Sequence, residues 1–253
     1  MIPKKIHYIW VGGNPMGEMM VKCIDSWKKF CPEFEIIEWN EKNFDVNQNE
    51  YCRQAFEQKK WAFVSDYMRL KVLHDHGGMY MDTDVEVIKP FDDFLFELPM
   101  FIGFEDSHRI QSGLIATEKN GVWVKKMLSH YDDAQFIKDD GTLDMTTNVI
   151  VMSRMTKEMY PDLEFNGVEQ HMEHFHLYPI DYFCTGRSAL RKKRKVTKNT
   201  YSIHHFSMTW RTDKEKFRMK VRFIIAAPVK FILGKRLTKR IRDRNNKKKI
   251  NYQ

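Results

Sequence analysis

The chain has 253 residues, enough for one sizeable core with a small appendage. Its 42% hydrophobic and 30% charged residues fit a folded, water-soluble body, and no uncharged apolar run of roughly 18 residues occurs, so a bilayer span is not expected. The net charge is +8, yet the segment 213–253 carries 15 lysines and arginines against 3 acids, which leaves the preceding residues mildly acidic. That asymmetry points to an anionic surface as the partner of the tail and away from a nucleic-acid-binding body.

Cys23, Cys31, Cys52 and Cys184 show no CxxC spacing, so reduced thiols in a cytoplasmic setting are expected, without a zinc site. The first five residues lead straight into a strand-like run, and no secretory leader is expected. That run, Ile6 to Val11, is β-rich and stops at Gly12-Gly13-Asn14-Pro15. A strand opening into a Gly-rich loop is the usual first unit of a nucleotide-binding α/β domain, although GxGxxG is absent. Trp10 stands where the strand stops, and two readings remain open for it: stacking on a flat ring such as uracil, or core packing.

The spacing predicts a helix over 16–30, with Met20, Ile24 and Trp27 on one face, a second strand over 34–39 and a short helix over 51–59. The segment 61–76 predicts the most informative helix. Ala62, Asp66, Arg69 and Leu73 form one stripe, in which a charged pair sits between apolar ends. That pair reads either as an ion pair on the helix surface, worth little, or as two groups reaching a sugar's hydroxyls. Gly77 is a fitting C-cap.

Gly77-Gly78-Met79-Tyr80-Met81-Asp82-Thr83-Asp84-Val85 is the stretch around which the rest is organised. Read as one strand over 79–87, it places Tyr80, Asp82, Asp84 and Glu86 on one face and Met79, Met81, Val85 and Val87 on the other. Carboxylates in mid-strand are disfavoured unless paired, and two together repel. A divalent cation, Mn²⁺ or Mg²⁺, removes that conflict and can share its shell with substrate phosphates.

Further strands are expected over 100–104 and 114–116, with a polar loop at Gln111-Ser112-Gly113, and helices over 122–131 and 146–159. In the segment His171 to His176 the histidines at i, i+3 and i+5 share no helical face. It reads as a surface strand rather than a metal site. The stretch from Tyr201 to Trp210 combines His204 and His205 with Ser207, Thr209 and Trp210. Taken alone it reads as a terminal strand. Beside the aspartates it reads as a site, because neutral imidazole ligates Mn²⁺-class ions and hydroxyl and indole groups donate to phosphate oxygens. After 216, apolar and basic residues alternate at amphipathic spacing around Pro228, as in a helix lying on an anionic leaflet.

Three blocks together resemble the glycosyltransferases with a DXD sugar-binding region, family 32 of the carbohydrate-enzyme classification. They are Ile6 to Gly12; Ala62 through Asp66 and Arg69 to Asp84; and His204-His205 to Trp210. The last block ends in Thr209-Trp210 where relatives often have Ser-Trp. The resemblance implies a GT-A fold, a single Rossmann-like α/β domain over 1–212 with a mixed central sheet, followed by the basic tail 213–253. It also implies metal-dependent, retaining transfer from a nucleotide sugar. By the same resemblance Trp10 would stack on the base, Asp66 and Arg69 would hold the donor sugar, and Tyr80 belongs to the donor site. Asp82 would meet ribose or sugar, Asp84 and one of His204 and His205 would ligate metal, Ser207 or Thr209 would meet phosphate, and Trp210 would touch the diphosphate.

The expected function is therefore hexose transfer, UDP-galactose or a related UDP-hexose being the donor that the resemblance favours. The acceptor would be a saccharide or lipid-linked saccharide in surface-polysaccharide or capsule synthesis, with the enzyme peripheral on the cytoplasmic face of a membrane. A nucleotide-sugar hydrolase using the same aspartates and a non-catalytic membrane-surface adaptor are the alternatives.

Overall fold

A computed structural model describes residues 1–185 and 196–207. Thr209, Trp210 and the basic segment 213–253, all singled out in the sequence, lie outside the described residues. A mixed seven-stranded sheet runs through the described body in the order Glu35–Trp39, Lys5–Ile9, Gly78–Met81, Arg109–Thr117, Met100–Asp106, Phe175–Tyr178 and Gln170–Met172. Among the described residues no helix is long and apolar enough to cross a membrane. All four cysteines are buried and none forms a disulfide.

The opening is a β-α-β unit. β1 (Lys5–Ile9) feeds α1 (Glu18–Phe30), which returns to β2 (Glu35–Trp39), parallel to β1. The helix buries Met20, Cys23, Ile24 and Trp27, an i, i+3, i+4, i+7 face. Trp27 is fully buried and donates its indole N–H to the Val85 carbonyl at 2.7 Å. A side chain of that size contributes about 1.5–3 kcal/mol through burial alone.

α2 (Glu50–Glu57) and α3 (Trp61–His76) follow. The limits of α3 match the expected segment, but the single stripe does not survive. Phe63, Val64, Asp66, Tyr67, Met68, Arg69, Leu70, Val72 and Leu73 are all buried, so this helix is wrapped on several sides. Gly77 and Gly78 then turn the chain with φ of 64° and 104°. A Cβ on Gly77 would lie 2.6 Å from the Lys119 amide nitrogen, and one on Gly78 2.8 Å from the Lys5 carbonyl oxygen. Only glycine meets both the backbone sign and the space.

β3 (Gly78–Met81) enters the sheet parallel to β1, with His7 opposite Tyr80. Here the structure corrects the sequence reading. The strand does not run to residue 87. Asp82, Thr83 and Asp84 form a turn in which the Asp82 amide donates to the Gly113 carbonyl (2.8 Å) and the Val85 amide donates to the Asp82 carbonyl (2.9 Å). The following β4 (Val85–Val87) leaves the main sheet and pairs antiparallel with β9 (Ser202–His204). The alternating pattern hid the break, because apolar residues resume at Val85 in phase with Met81. Two carboxylates are poorly accommodated inside a buried ladder, and a turn lets them project from the strand end.

The short α4 (Phe94–Glu97) leads to β5 (Met100–Asp106), which pairs antiparallel with β6 (Arg109–Thr117). Gln111, Ser112 and Gly113, expected in a loop, belong to β6. Gly113 faces Asp82 and His204, and the Ser112 carbonyl accepts from Arg69. α5 (Val122–Leu128) and α6 (Asn148–Met159) pack with α2 and α3 on one face of the sheet. On the other face lie α1, α4, the β4–β9 ribbon and α7 (Ile180–Phe183). β7 (Gln170–Met172) and β8 (Phe175–Tyr178) form an antiparallel hairpin at the sheet edge, where a single strand was expected.

Candidate functional site

The β4–β9 pairing sets Val85 opposite His204 and so carries a distant histidine to the Asp82–Asp84 turn. His204 Nε2 lies 3.1 Å from Asp84 Oδ1 and 3.7 Å from Asp82 Oδ2. One ligand atom from each of these three residues falls within 4.8 Å of the others. Two carboxylates and one imidazole nitrogen are the donors that suit a divalent cation of the Mn²⁺ class.

Close packing enforces this convergence. A Cβ on Gly113 would stand 2.7 Å from His204 Cε1 and 3.0 Å from Asp82 Oδ2, so only a glycine in β6 admits both side chains. The Phe206 ring stacks on His204, with centroids 4.0 Å apart and planes 19° apart. Phe206 has φ of 52°, a left-handed backbone that turns Ser207 back toward the motif. The Ser207 amide and hydroxyl both donate to Asp84 Oδ2, at 2.7 and 2.8 Å.

Electrostatics follow from that geometry. Burial works against the Asp84 charge, but His204 and Ser207 outweigh it and hold the carboxyl far below its usual range. Burial likewise opposes charge on His204, and Asp84 and Cys184 raise it well above the ordinary histidine value. The two carboxylates thus favour a positive charge at the His204 position. A divalent cation fits the same place.

A second cluster joins the first through Asp82. Arg69 is 4% exposed and Asp66 8%, so their pairing is interior and not the surface ion pair that the sequence allowed. Arg69 Nη2 lies 3.0 Å from Asp66 Oδ1, and Nη1 lies 3.4 Å from Asp82 Oδ1. The guanidinium also donates to the Ser65 carbonyl, the Ser65 hydroxyl and the Ser112 carbonyl, and it lies over the Tyr80 ring, 4.7 Å from its centroid. All of its arms are thus engaged, and it orients the two aspartates. The Tyr80 hydroxyl donates to Asp82 Oδ1 at 2.6 Å.

Asn148, at the start of α6, was not singled out in the sequence. It donates to Asp66 Oδ1 at 3.1 Å and is 4% exposed, and its side-chain oxygen Oδ1 has no hydrogen-bond partner among the described residues. Burial pushes the Asp66 carboxyl up to about 6, against the pull of Arg69 and Asn148. A polar residue opening a helix after Thr146-Thr147 was the only sequence signal for Asn148, and it resembles an ordinary capping pattern.

The remaining expected residues are placed as follows. Trp10 follows β1 directly, and the parallel register brings the end of β1 beside the end of β3, so Trp10 and Asp82 emerge at one edge of the sheet. The Trp10 indole donates to the Asn14 carbonyl at 2.6 Å. His205 turns from the aspartates to Glu86, at 2.8 Å. Of the two adjacent histidines, His204 is the one brought to the motif.

These features define an α/β protein with a mixed sheet and an acidic, metal-competent centre at the strand ends. Residues 17–100 match the family described as "Glycosyltransferase sugar-binding region containing DXD motif", and the chain carries that region, with Asp82-Thr83-Asp84 as its DXD motif. The chain is similar to Subversion of eukaryotic traffic protein A of Legionella pneumophila, at 29% identity over 38% of this chain and 19% of that protein. It is also similar to Uncharacterized glycosyltransferase L373 of Acanthamoeba polyphaga mimivirus, at 31% identity over 38% of this chain and 40% of that protein. The matches thus span less than half the length of these relatives. Among solved structures, the PaToxG Glycosyltransferase aligns with 63% of this chain and 70% of its own, at 21% identity and a TM-score of 0.49.

Proposed function

We propose that this chain is a glycosyltransferase of GT-A type that moves a hexose from a nucleoside diphosphate sugar, UDP-linked, to a hydroxyl of a saccharide acceptor. The observation that supports this reading most is the convergence of Asp82, Asp84 and His204 at the end of β3, within and beside a glycosyltransferase sugar-binding region. In open α/β sheets, ligands bind outside the carboxyl ends of the strands, where Trp10 and Asp82 emerge.

Asp84, Asp82 and His204 would hold the cation, and a nitrogen donor among carboxylates favours Mn²⁺ over Mg²⁺. A cation bound there supplies positive charge to the departing diphosphate oxygens. Trp10 offers a flat ring for the base. Asp66 and the open side-chain oxygen Oδ1 of Asn148 offer buried acceptors to the donor sugar's hydroxyls, a use that accounts for an otherwise unpaired polar atom. Arg69 serves by fixing Asp66 and Asp82. The acceptor oxygen attacks the anomeric carbon on the face the diphosphate leaves, the bond from that carbon to the phosphate oxygen breaks, and that oxygen takes the acceptor's proton. The configuration is retained.

Turnover of a nucleotide-sugar panel with Mn²⁺, with and without saccharide acceptors, tests the reading. Transfer to an acceptor is expected. Release of free hexose alone would make the protein a hydrolase, and no turnover with any donor would favour a non-catalytic role. The +12 balance of 213–253 supports a resting place on an anionic, cytoplasmic membrane surface, near lipid-linked saccharides. Truncation after Arg211 should abolish sedimentation with phosphatidylserine vesicles.

A further inference from the structure

The carboxyl end of β1 holds a carboxylate that the DXD centre does not use. Trp10 follows the strand, and its amide donates to the Trp39 carbonyl at 2.9 Å, so the chains leaving β1 and β2 run side by side. Glu41 therefore arrives beside Gly12. The Gly12 N–H is shared between the two oxygens of the Glu41 carboxylate, at 3.2 and 3.3 Å. Glu41 is exposed and Trp10 is half-buried.

The carboxylate is mounted on a pinned turn. The Lys42 amide donates to the Asn40 side chain at 2.9 Å, and the Asn40 amide donates to the Asn43 side chain at 2.8 Å. The Asn43 side chain in turn donates to the Glu38 carbonyl at 2.8 Å. Gly12 is fixed from its other side as well. Its φ is 90°, and a Cβ there would lie 2.6 Å from Trp61 Cε2, at the first turn of α3. Gly12 thus meets the Glu41 carboxylate through its amide and the Trp61 indole through its α-carbon.

We propose that Glu41 reads the base of the nucleotide, accepting the ring N3–H of uracil and so selecting uracil over cytosine. The inference rests on the nucleotide-sugar reading above, in which Trp10 offers its ring to the base. A base stacked on Trp10 presents its polar edge sideways, in the plane of its own ring. The register that sets Ile9 opposite Trp39 carries Glu41 to the chain just beyond Trp10. A carboxylate only accepts, and its oxygens have room for about four hydrogen bonds. The one N–H of Gly12 positions the group and leaves most of that capacity open. Uracil offers an N–H at ring position N3, whereas cytosine carries a bare lone pair there, which would face the lone pairs of the carboxylate. A charge-assisted hydrogen bond in one complex is set against repulsion in the other. Stacking alone does not separate the two pyrimidines, since every base has a π-face. A polar group left unpaired by the wrong ligand is what gives such a site its selectivity.

Calorimetric titration of the full chain in Mn²⁺ with UDP, CDP and 3-methyl-UDP tests this. The wild type should bind UDP on the order of tenfold more tightly than CDP or 3-methyl-UDP, the fold-change of one charge-assisted hydrogen bond. Glu41→Ala should bind all three alike. An amide can turn to accept from uracil or to donate to cytosine. Glu41→Gln should therefore also bind UDP and CDP alike, while keeping an acceptor for Gly12 and the wild-type melting temperature. An equal loss of UDP and CDP affinity in Glu41→Ala, with the preference for UDP intact, would make Glu41 only a clamp on Gly12 and overturn the inference. Equal affinities for UDP and CDP in the wild type would also overturn it. Failure of the underlying reading looks different: no nucleotide would bind to any of these proteins, and the inference would fall with it.

Discussion

His204 reaches Asp84, with Nε2 and Oδ1 3.1 Å apart, because β9 pairs with β4 in a ribbon of its own and not with the seven-stranded sheet. The two residues are 120 positions apart in sequence, and the turn at Asp82-Thr83-Asp84 makes their meeting possible.

Gly113 controls that meeting sterically. Gly113→Ala should push His204 and Asp82 apart, since the added methyl would lie 2.7 Å from the ring. Overpacking of this kind costs about 1–3 kcal/mol. We expect Mn²⁺ affinity and transfer to fall at least tenfold while the protein remains folded. Calorimetric Mn²⁺ titration with a parallel thermal melt checks this, and unchanged affinity would show that the site tolerates the methyl.

Arg69 is the keystone of the second cluster. Arg69→Met removes the guanidinium and leaves Asp66 buried beside Asp82 without its cation. Breaking a buried pair from one side costs about 3–5 kcal/mol. Urea unfolding should show a loss of that order. Asp66→Asn should be milder in stability, because it removes the charge itself, and should weaken donor-sugar binding more than binding of the free nucleotide. A loss below about 1 kcal/mol for Arg69→Met would contradict the buried network.

His7 gives the fold a pH dependence. It is fully buried, accepts from the Trp39 indole at 3.0 Å and pairs with the Gly77 carbonyl at 2.8 Å, which ties β1 to β2 and to the glycine turn. Burial lowers its value from 6.5 to about 4, and nearby His76 adds to the effect. Between those values the unfolded chain binds the proton and the folded chain does not. Stability is therefore present above pH 6.5 and is lost as pH falls toward 4, by about 3 kcal/mol in total. Melting curves across this window should show the slope, and His7→Gln, which preserves both hydrogen-bond roles, should flatten it. An equal slope in that variant would assign the pH dependence to other groups.

The sequence revealed much of this through local pattern. The limits of α3 were legible because its helical spacing ends at a double glycine, and the aspartates drew attention because charge in an apolar run needs a partner. Four features were not legible. The turn at 82–84 was masked by apolar residues that resume in phase. The buried role of His7 was invisible, since a histidine in an apolar strand carries no signal of the indole that reaches it from β2. The His171–His176 pairing depends on the two-residue turn Glu173-His174, which lacks the Asn-Gly or Asp-Gly chemistry that marks hairpins. Asn148 likewise resembles a cap until α6 is docked against α3 and it meets Asp66.

The central claim is that Asp82, Asp84 and His204 share a divalent cation with a nucleotide's diphosphate. Mn²⁺ titration by electron paramagnetic resonance, with and without UDP, tests it most directly in wild type and in Asp84→Asn. One bound Mn²⁺ in the wild type, tightened by UDP and lost in the variant, is predicted. Equal Mn²⁺ binding in the two proteins, indifferent to UDP, would contradict it.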